Sequence, residues 1–313
     1  VSADADAAPG ARARTGQVAI VGRANVGKST LLNALIGEKV SITSRKPQTT
    51  RQRVLGVLTR QGAGASEQFI FVDTPGMQQR HRSLLARRMN QTAVAALREV
   101  DAVLLVIEAR GWTAGDAALL PLLPALAPGQ ASRVVLAINK IDLLADRNAL
   151  LPLIADSARR YPFAAIVPVS AERGRQLEPL LAELAQLLPE GEPLFDAEHY
   201  TDRPLRFLAA ELIREKAFRL LGDELPYGIA VSIERWDEPE RGAVAIIATL
   251  LVERDSHKAI VIGAGGAKLR EIGRLARADI ERLLDRPVFL QTHVRVRKGW
   301  ADSARDLKSL GYD

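Results

Sequence analysis

The stretch Gly22-Arg23-Ala24-Asn25-Val26-Gly27-Lys28-Ser29 constrains this chain more than any other, because it reads Gly-x4-Gly-Lys-Ser between an apolar run and a helix-forming one. Residues 17–21 read as a buried strand and residues 29–36 as a helix. Glycines at 22 and 27 let the backbone curl so that its N–H groups point inward at an anion. The positive end of the following helix faces the same point. Lys28 is expected to reach the β- and γ-phosphates of a bound nucleotide. Ser29, followed by Thr30, is expected to bring its hydroxyl to Mg2+.

Further apolar runs at 69–72, 102–107, 134–138 and 166–169 read as strands, with helical stretches at 82–99 and 177–188. Strands alternating with helices predict an α/β fold with a mainly parallel sheet covered on both faces. Ligands of such sheets bind outside the carboxyl ends of the strands. Asp73-Thr74-Pro75-Gly76 follows one such end. Asp73 is expected to hold the metal through a water, and the Gly76 N–H to meet the γ-phosphate. Asn139-Lys140-Ile141-Asp142 follows another. A carboxylate there can accept both N1–H and N2–H2 of guanine, an arrangement adenine does not offer. Asn139 is expected to read the other edge of the base and steady the loop, and the Lys140 stem to cover the base. Ser170-Ala171 after the fifth strand would supply an N–H to guanine O6. The segment Lys46-Pro47-Gln48-Thr49-Thr50-Arg51 carries a candidate switch threonine that ligates the metal only beside a γ-phosphate. Thr49 and Thr50 compete for that role, and Thr50 is favoured.

A turn-rich, charged stretch at 188–193 ends this unit, so a GTP/GDP-binding domain is expected over 17–190, a polar linker over 191–203 and a second domain over 204–313. Residues 1–16 read as a disordered tail without the apolar middle of a signal peptide. The sequence has no cysteine, which removes disulfides and thiolate metal sites. The four histidines, His81, His199, His257 and His293, show no metal-ligand spacing. Asp101, Glu108 and Asp116 read as surface or turn carboxylates.

In the second domain, a helix (204–221), two strands (228–236, 243–253), a turn, a helix (267–284) and a strand (288–296) are expected, with a short helix over 302–310. Gly263-Ala264-Gly265-Gly266 sits between an apolar Ile-Val-Ile and a basic amphipathic helix. Such a Gly-x-x-Gly element brings the protein backbone close to single-stranded RNA. Twelve Lys or Arg against six Asp or Glu between Lys258 and Lys308 leave +6, as large as the net charge of the whole chain. Lys268, Arg270, Arg274 and Arg277 recur along the helix, and several of them are expected to meet phosphates, Lys268 and Arg270 beside the glycine loop first.

Residues 22–35 and 41–51, together with Ile213-Arg214-Glu215-Lys216, Leu225-Pro226-Tyr227, Ile233-Glu234-Arg235 and Gly299-Trp300-Ala301-Asp302, resemble the Era family of bacterial ribosome-assembly GTPases. The resemblance covers nearly everything after the tail. It implies a P-loop GTPase domain followed by an α+β type II KH domain. It also implies binding to the 3′ end of 16S ribosomal RNA, assistance to assembly of the 30S subunit, and a cytoplasmic monomer. Peripheral association with the inner face of the cell membrane stays open. Met77 stands where signalling GTPases carry a water-orienting glutamine, which predicts slow intrinsic hydrolysis, and Gln78 is one residue too far along. Related GTPases with an apolar residue there hold K+ through the P-loop asparagine, which here is Asn25. The pair Ala264-Gly265 departs from the polar or basic residues usual in the KH loop. A small-molecule phosphotransferase is the rival reading, disfavoured by Asn139-Lys140-x-Asp142.

Overall fold

The structure is a computed structural model and describes residues 12–44, 49–61, 65–76, 83–125, 129–222 and 228–312. Lys46, Pro47, Gln48, Met77, Gln78 and the Leu225-Pro226-Tyr227 motif lie outside the described residues.

The first sheet has six strands in the order β2-β3-β1-β4-β5-β6. These are β1 (Arg14–Val21), β2 (Val54–Gln61), β3 (Ser66–Asp73), β4 (Ala102–Glu108), β5 (Val134–Asn139) and β6 (Ala165–Pro168). All neighbours pair in parallel except β2 with β3. Alternation along β1 sends Val18 and Ile20 into one core and Ala19 and Val21 into another. Apolar cover on both faces is why the inner strands read as unbroken hydrophobic runs. The first core packs α1 (Lys28–Ile36) and α5 (Leu177–Ala185) against the sheet. On the other face lie the end of α2 (Leu84–Ala96) and α4 (Leu150–Arg160). The parallel strands place the loops after β1, β3, β5 and β6 at one edge of the sheet.

Two strands of this sheet differ from the sequence reading. β1 begins at Arg14, inside the stretch read as tail, because Thr15 N–H donates to Pro189 O at 3.1 Å and Gly191 N–H to Ala13 O at 2.9 Å. The antiparallel strand β2 was not foreseen. Its Gly56 lies under α1, where a Cβ would come 2.2 Å from Ile36 Cδ1. The segment read as a polar linker lies along the outer edge of β2. Val57 N–H donates to Tyr200 O at 2.8 Å and Thr201 Oγ1 to Leu55 O at 2.7 Å. Buried Gln68 accepts from Leu194 and Phe195 N–H through its Oε1. Covering an edge strand removes an open row of pairing groups.

The second sheet contains β7 (Ala230–Asp237), β8 (Val244–Val252) and β9 (Val288–Val296) in that order, with β7 antiparallel and β9 parallel to β8. Helices α6 (Leu205–Leu220), α7 (Asp255–Ile262) and α8 (Ala267–Leu284) pack on one face of it. Helix α7 occupies the place where the sequence reading expected only a turn. Its apolar Ile260-Val261-Ile262 puts Val261 alone into the core, a helical rather than an alternating pattern. A short α9 (Ala304–Ser309) closes the described chain.

Candidate active site and nucleic-acid interface

The outer glycines of the P-loop have no room for a side chain. A Cβ on Gly22 would lie 2.5 Å from Val106 O, and one on Gly27 would lie 2.4 Å from Asn139 Nδ2. Gly27 also takes φ 98°, in the left-handed region. Buried Lys28 donates from Nζ to the carbonyls of Gly22 and Arg23 at 3.1 and 3.0 Å. Burial pushes the Lys28 amine down to a pKa of about 8. A Cβ on Gly76 would meet Ala24 Cα at 2.9 Å and Lys28 Nζ at 3.1 Å, so the loop after β3 abuts the P-loop. Thr74 fastens it by donating to Ile20 O at 2.9 Å, and Pro75 is buried beside it.

Ser29, Thr50 and Asp73 come from three separate elements and converge. Ser29 Oγ lies 2.7 Å from Thr50 Oγ1 and donates to Asp73 Oδ2 at 2.8 Å. Thr50 Oγ1 donates to the same oxygen at 3.2 Å. Ser41, not singled out from the sequence, donates there as well, at 3.0 Å. Thr49 instead turns its carbonyl toward Arg214. Asp73 is fully buried, and burial raises its carboxyl above the usual range despite nearby Lys28. Its Oδ1 has no hydrogen-bond partner among the described residues. A buried carboxylate with an orphaned oxygen amid hydroxyls is costly by itself. An all-oxygen donor set of this kind suits Mg2+. Asn25, with φ 68°, and Thr30 line the same open cavity.

The loops after β5 and β6 are tied to the P-loop. Asn139 Nδ2 donates to Val26 O at 2.9 Å, and its Oδ1 accepts from Lys140 N–H at 2.8 Å and Ala171 N–H at 3.0 Å. These bonds are the loop-steadying task expected of Asn139, and they include the Ala171 N–H of the segment expected beside guanine. Asn139 acts as a brace among three loops. Lys140, at φ 67°, sends Nζ to Asn25 O at 2.6 Å and to Glu108. Asp142 accepts a hydrogen bond from Ser170 Oγ, which aims the carboxylate. The side chain of Arg23 pairs with Glu108 and Asp116, each at 3.3 Å, and only its backbone carbonyl meets Lys28. Those two acids are therefore not solvated surface groups. Asp116 is 0% exposed and caps a helical turn with Thr113. The position of Glu108 at the carboxyl end of β4 was the available signal.

In the second half of the chain, Gly263, Ala264, Gly265 and Gly266 form the tight turn between α7 and α8. Three of them have positive φ: Gly263 at 71°, Gly265 at 56° and Gly266 at 79°. Ala264 and Gly265 are exposed, and a Cβ on Gly265 or Gly266 would meet nothing within 4 Å. Lys268 is exposed beside them, while Arg270 folds back to donate to Gly265 O at 2.8 Å. Further along the helix, Arg274 and Arg277 pair with Glu271 at 2.7 Å and Glu281 at 3.9 Å on their own helix.

Family profiles match both parts. One described as a 50S ribosome-binding GTPase matches residues 17–140, and one described as a KH domain matches residues 224–301. The chain is 55% identical over 300 residues to GTPase Era of Bordetella avium strain 197N, covering 96% of this chain and 98% of that one. It belongs to the Era family of GTPases. A tyrosine-to-alanine variant of Aquifex aeolicus Era, solved with GDP·AlF4−, superposes with a TM-score of 0.89 at 40% identity, over 96% of this chain and 99% of that one. An Era structure solved with MgGDPNP and nucleotides 1506–1542 of 16S ribosomal RNA gives 0.88 at 40% identity with the same coverage.

In this Era-family chain the two halves meet through residues 49–51, among other contacts. Arg51 is buried, donates to Ile229 O at 2.7 Å, and lies 5.5 and 5.8 Å from the ring centres of Phe218 and Trp300. Arg214, 0% exposed on α6, donates to Thr49 O at 2.5 Å and stacks 5.0 Å from the Phe218 ring centre. Both neighbours of Thr50 are thus held by the second half. Glu215 and Asp279, on α6 and α8, each pair with Lys39 at 3.0 Å. Leu85 and Met89 of α2 pack with Trp300, Leu307 and Tyr312, and Leu84 N–H donates to Asp302 Oδ1 at 2.9 Å. The motifs 213–216 and 299–302, quoted only as family resemblance, turn out to build this interface.

Proposed function

We propose that the chain is a GTP-driven switch whose KH half docks on the 3′ end of 16S ribosomal RNA and assists assembly of the 30S subunit. The observation that carries this reading is the position of Thr50. Its hydroxyl reaches Ser29 and Asp73 at the nucleotide cavity, while its two neighbours are gripped from the KH half. A γ-phosphate that draws Thr50 inward would pull on both grips.

Residues 22–30 wrap the phosphates, with Lys28 leaving its carbonyl partners for the β- and γ-oxygens. Ser29 and Thr50 would hold Mg2+ directly and Asp73 through a water. The ion supplies positive charge against the β- and γ-phosphates. The Gly76 N–H binds the γ-phosphate, Asp142 reads guanine, and Asn139 and Lys140 keep its loop against the P-loop. Met77 cannot orient a water, so unaided hydrolysis is slow. Asn25, exposed at the cavity mouth, is placed to bind K+ beside the phosphates. Equal turnover in Na+ and K+ would remove that role. On the KH side, residues 263–266 with Lys268 and Arg270 contact the RNA backbone.

We place the protein in the cytoplasm as a monomer. Among the described residues no helix is long and apolar enough to cross a membrane, so contact with the inner face of the cell membrane would be peripheral. Crosslinking to ribosomal RNA with GTP, GDP or neither, followed by mapping, tests the whole reading. Crosslinks at the 16S 3′ end that depend on nucleotide are expected. A map without that end overturns the RNA assignment.

A further inference from the structure

Three hydroxyls converge on Oδ2 of Asp73, and the nucleotide reading accounts for two of them. The third is Ser41, which no P-loop motif includes. It is 4% exposed and donates to Asp73 Oδ2 at 3.0 Å. Its backbone is fixed to the helix that follows the P-loop. Asn33 Oδ1 accepts from the N–H groups of Val40 and Ser41 at 3.1 and 2.9 Å, and Asn33 Nδ2 donates to Ser41 O at 2.7 Å. Two residues earlier, Lys39 pairs with Glu215 and Asp279 of the KH half. The Ser41 hydroxyl therefore reaches Asp73 from a backbone held by α1.

We propose that Ser41 is a positioning residue of the magnesium site, holding Asp73 Oδ2 in place independently of the γ-phosphate. The proposal rests on the nucleotide-switch reading. With GDP, Thr50 has no γ-phosphate to bring it to the metal, so Asp73 Oδ2 then depends on Ser29 and Ser41. Ser29 is itself a metal ligand, whereas Ser41 has no other task at the site. Because Oδ1 has no partner among the described residues, the donors on Oδ2 alone fix the carboxylate, and losing Ser41 leaves it less firmly held against rotation. Ser41 thus acts on the metal through Asp73.

The test is the Mg2+ dependence of mant-GDP release from the full-length protein, comparing wild type with Ser41→Ala. In wild type, Mg2+ is expected to slow release with a defined midpoint. Ser41→Ala should raise that midpoint about tenfold, as expected for losing one hydrogen bond to a charged group, and leave release in EDTA within about twofold of wild type. A wild-type midpoint in Ser41→Ala overturns the proposal. So does an equal acceleration with and without Mg2+, which marks a purely structural serine. Wild-type release that ignores Mg2+ altogether overturns the nucleotide-switch reading and the proposal with it.

Discussion

Two glycine loops, one in each half of this molecule, use glycine for different purposes. In the P-loop, missing side chains make room for protein. A Cβ at Gly22 or Gly27 would strike Val106 O or Asn139 Nδ2 within 2.5 Å. In the KH loop, Gly265 and Gly266 face open space, and only their positive φ asks for glycine. The first loop is braced by its own fold. Its N–H groups stay aimed without help, which is the preorganisation a phosphate site needs. The second is bare so that another backbone can come close.

The sharpest test of that contrast is to add the same methyl to each loop. Gly27→Ala combines a clash at 2.4 Å with φ 98° and should weaken GTP and GDP binding by about a hundredfold or more. Gly266→Ala carries only the backbone cost of about 1–2 kcal/mol. It should leave nucleotide affinity unchanged and weaken RNA binding. Titration of mant-GDP and of a labelled 16S 3′ fragment measures both. Equal losses of nucleotide affinity would break the comparison.

Asp142→Asn follows in size. Replacing the carboxylate removes an acceptor for guanine N1–H and leaves an N–H facing a donor, at about 2–3 kcal/mol. GTP affinity should fall about thirtyfold or more, and xanthosine triphosphate, which carries an oxygen at C2, should gain. Competition binding reads this directly. KH-side RNA binding in the absence of nucleotide should not change.

Much of this was legible in the sequence because it obeys local rules. The strands of the first sheet announce themselves as apolar runs, and each motif follows a strand end. What stayed hidden depends on pairing across the chain. Val54–Gln61 is an edge strand whose face is half polar, and only its partner β3 defines it. Asn139 reads as a base ligand until the P-loop carbonyl of Val26 comes to lie 2.9 Å from its amide. A count of charge along the chain does not show that Arg274 and Arg277 are neutralised one turn away by Glu271 and Glu281. Arg51 gave no signal at all, since burial of a guanidinium between Phe218 and Trp300 requires both halves.

Arg51 joins the two halves that carry these loops, so Arg51→Ala asks whether the halves communicate. The truncation leaves Ile229 O without this donor and removes two cation–aromatic contacts, together about 2 kcal/mol. GTP affinity should stay within about threefold, because the guanidinium points away from the cavity. The ratio of RNA affinities with GTP and with GDP should move about tenfold toward one. An unchanged ratio would mean that the halves respond to nucleotide by a route other than the switch segment.

The smallest expected effect isolates charge at the KH loop. Arg270 is exposed but folded onto Gly265 O and Arg274 is paired with Glu271, whereas Lys268 lies exposed beside residues 263–266. If it meets one phosphate, Lys268→Ala should lower the slope of log affinity against log salt by about one. At moderate salt the loss of RNA affinity would be only a few-fold, alike for different RNA sequences. Arg274→Ala should change the slope less, because its guanidinium must first leave Glu271. A larger change from Arg274 than from Lys268 would mean that the RNA breaks the helix's own ion pairs. The phosphate track would then run along α8 and not at the glycine turn.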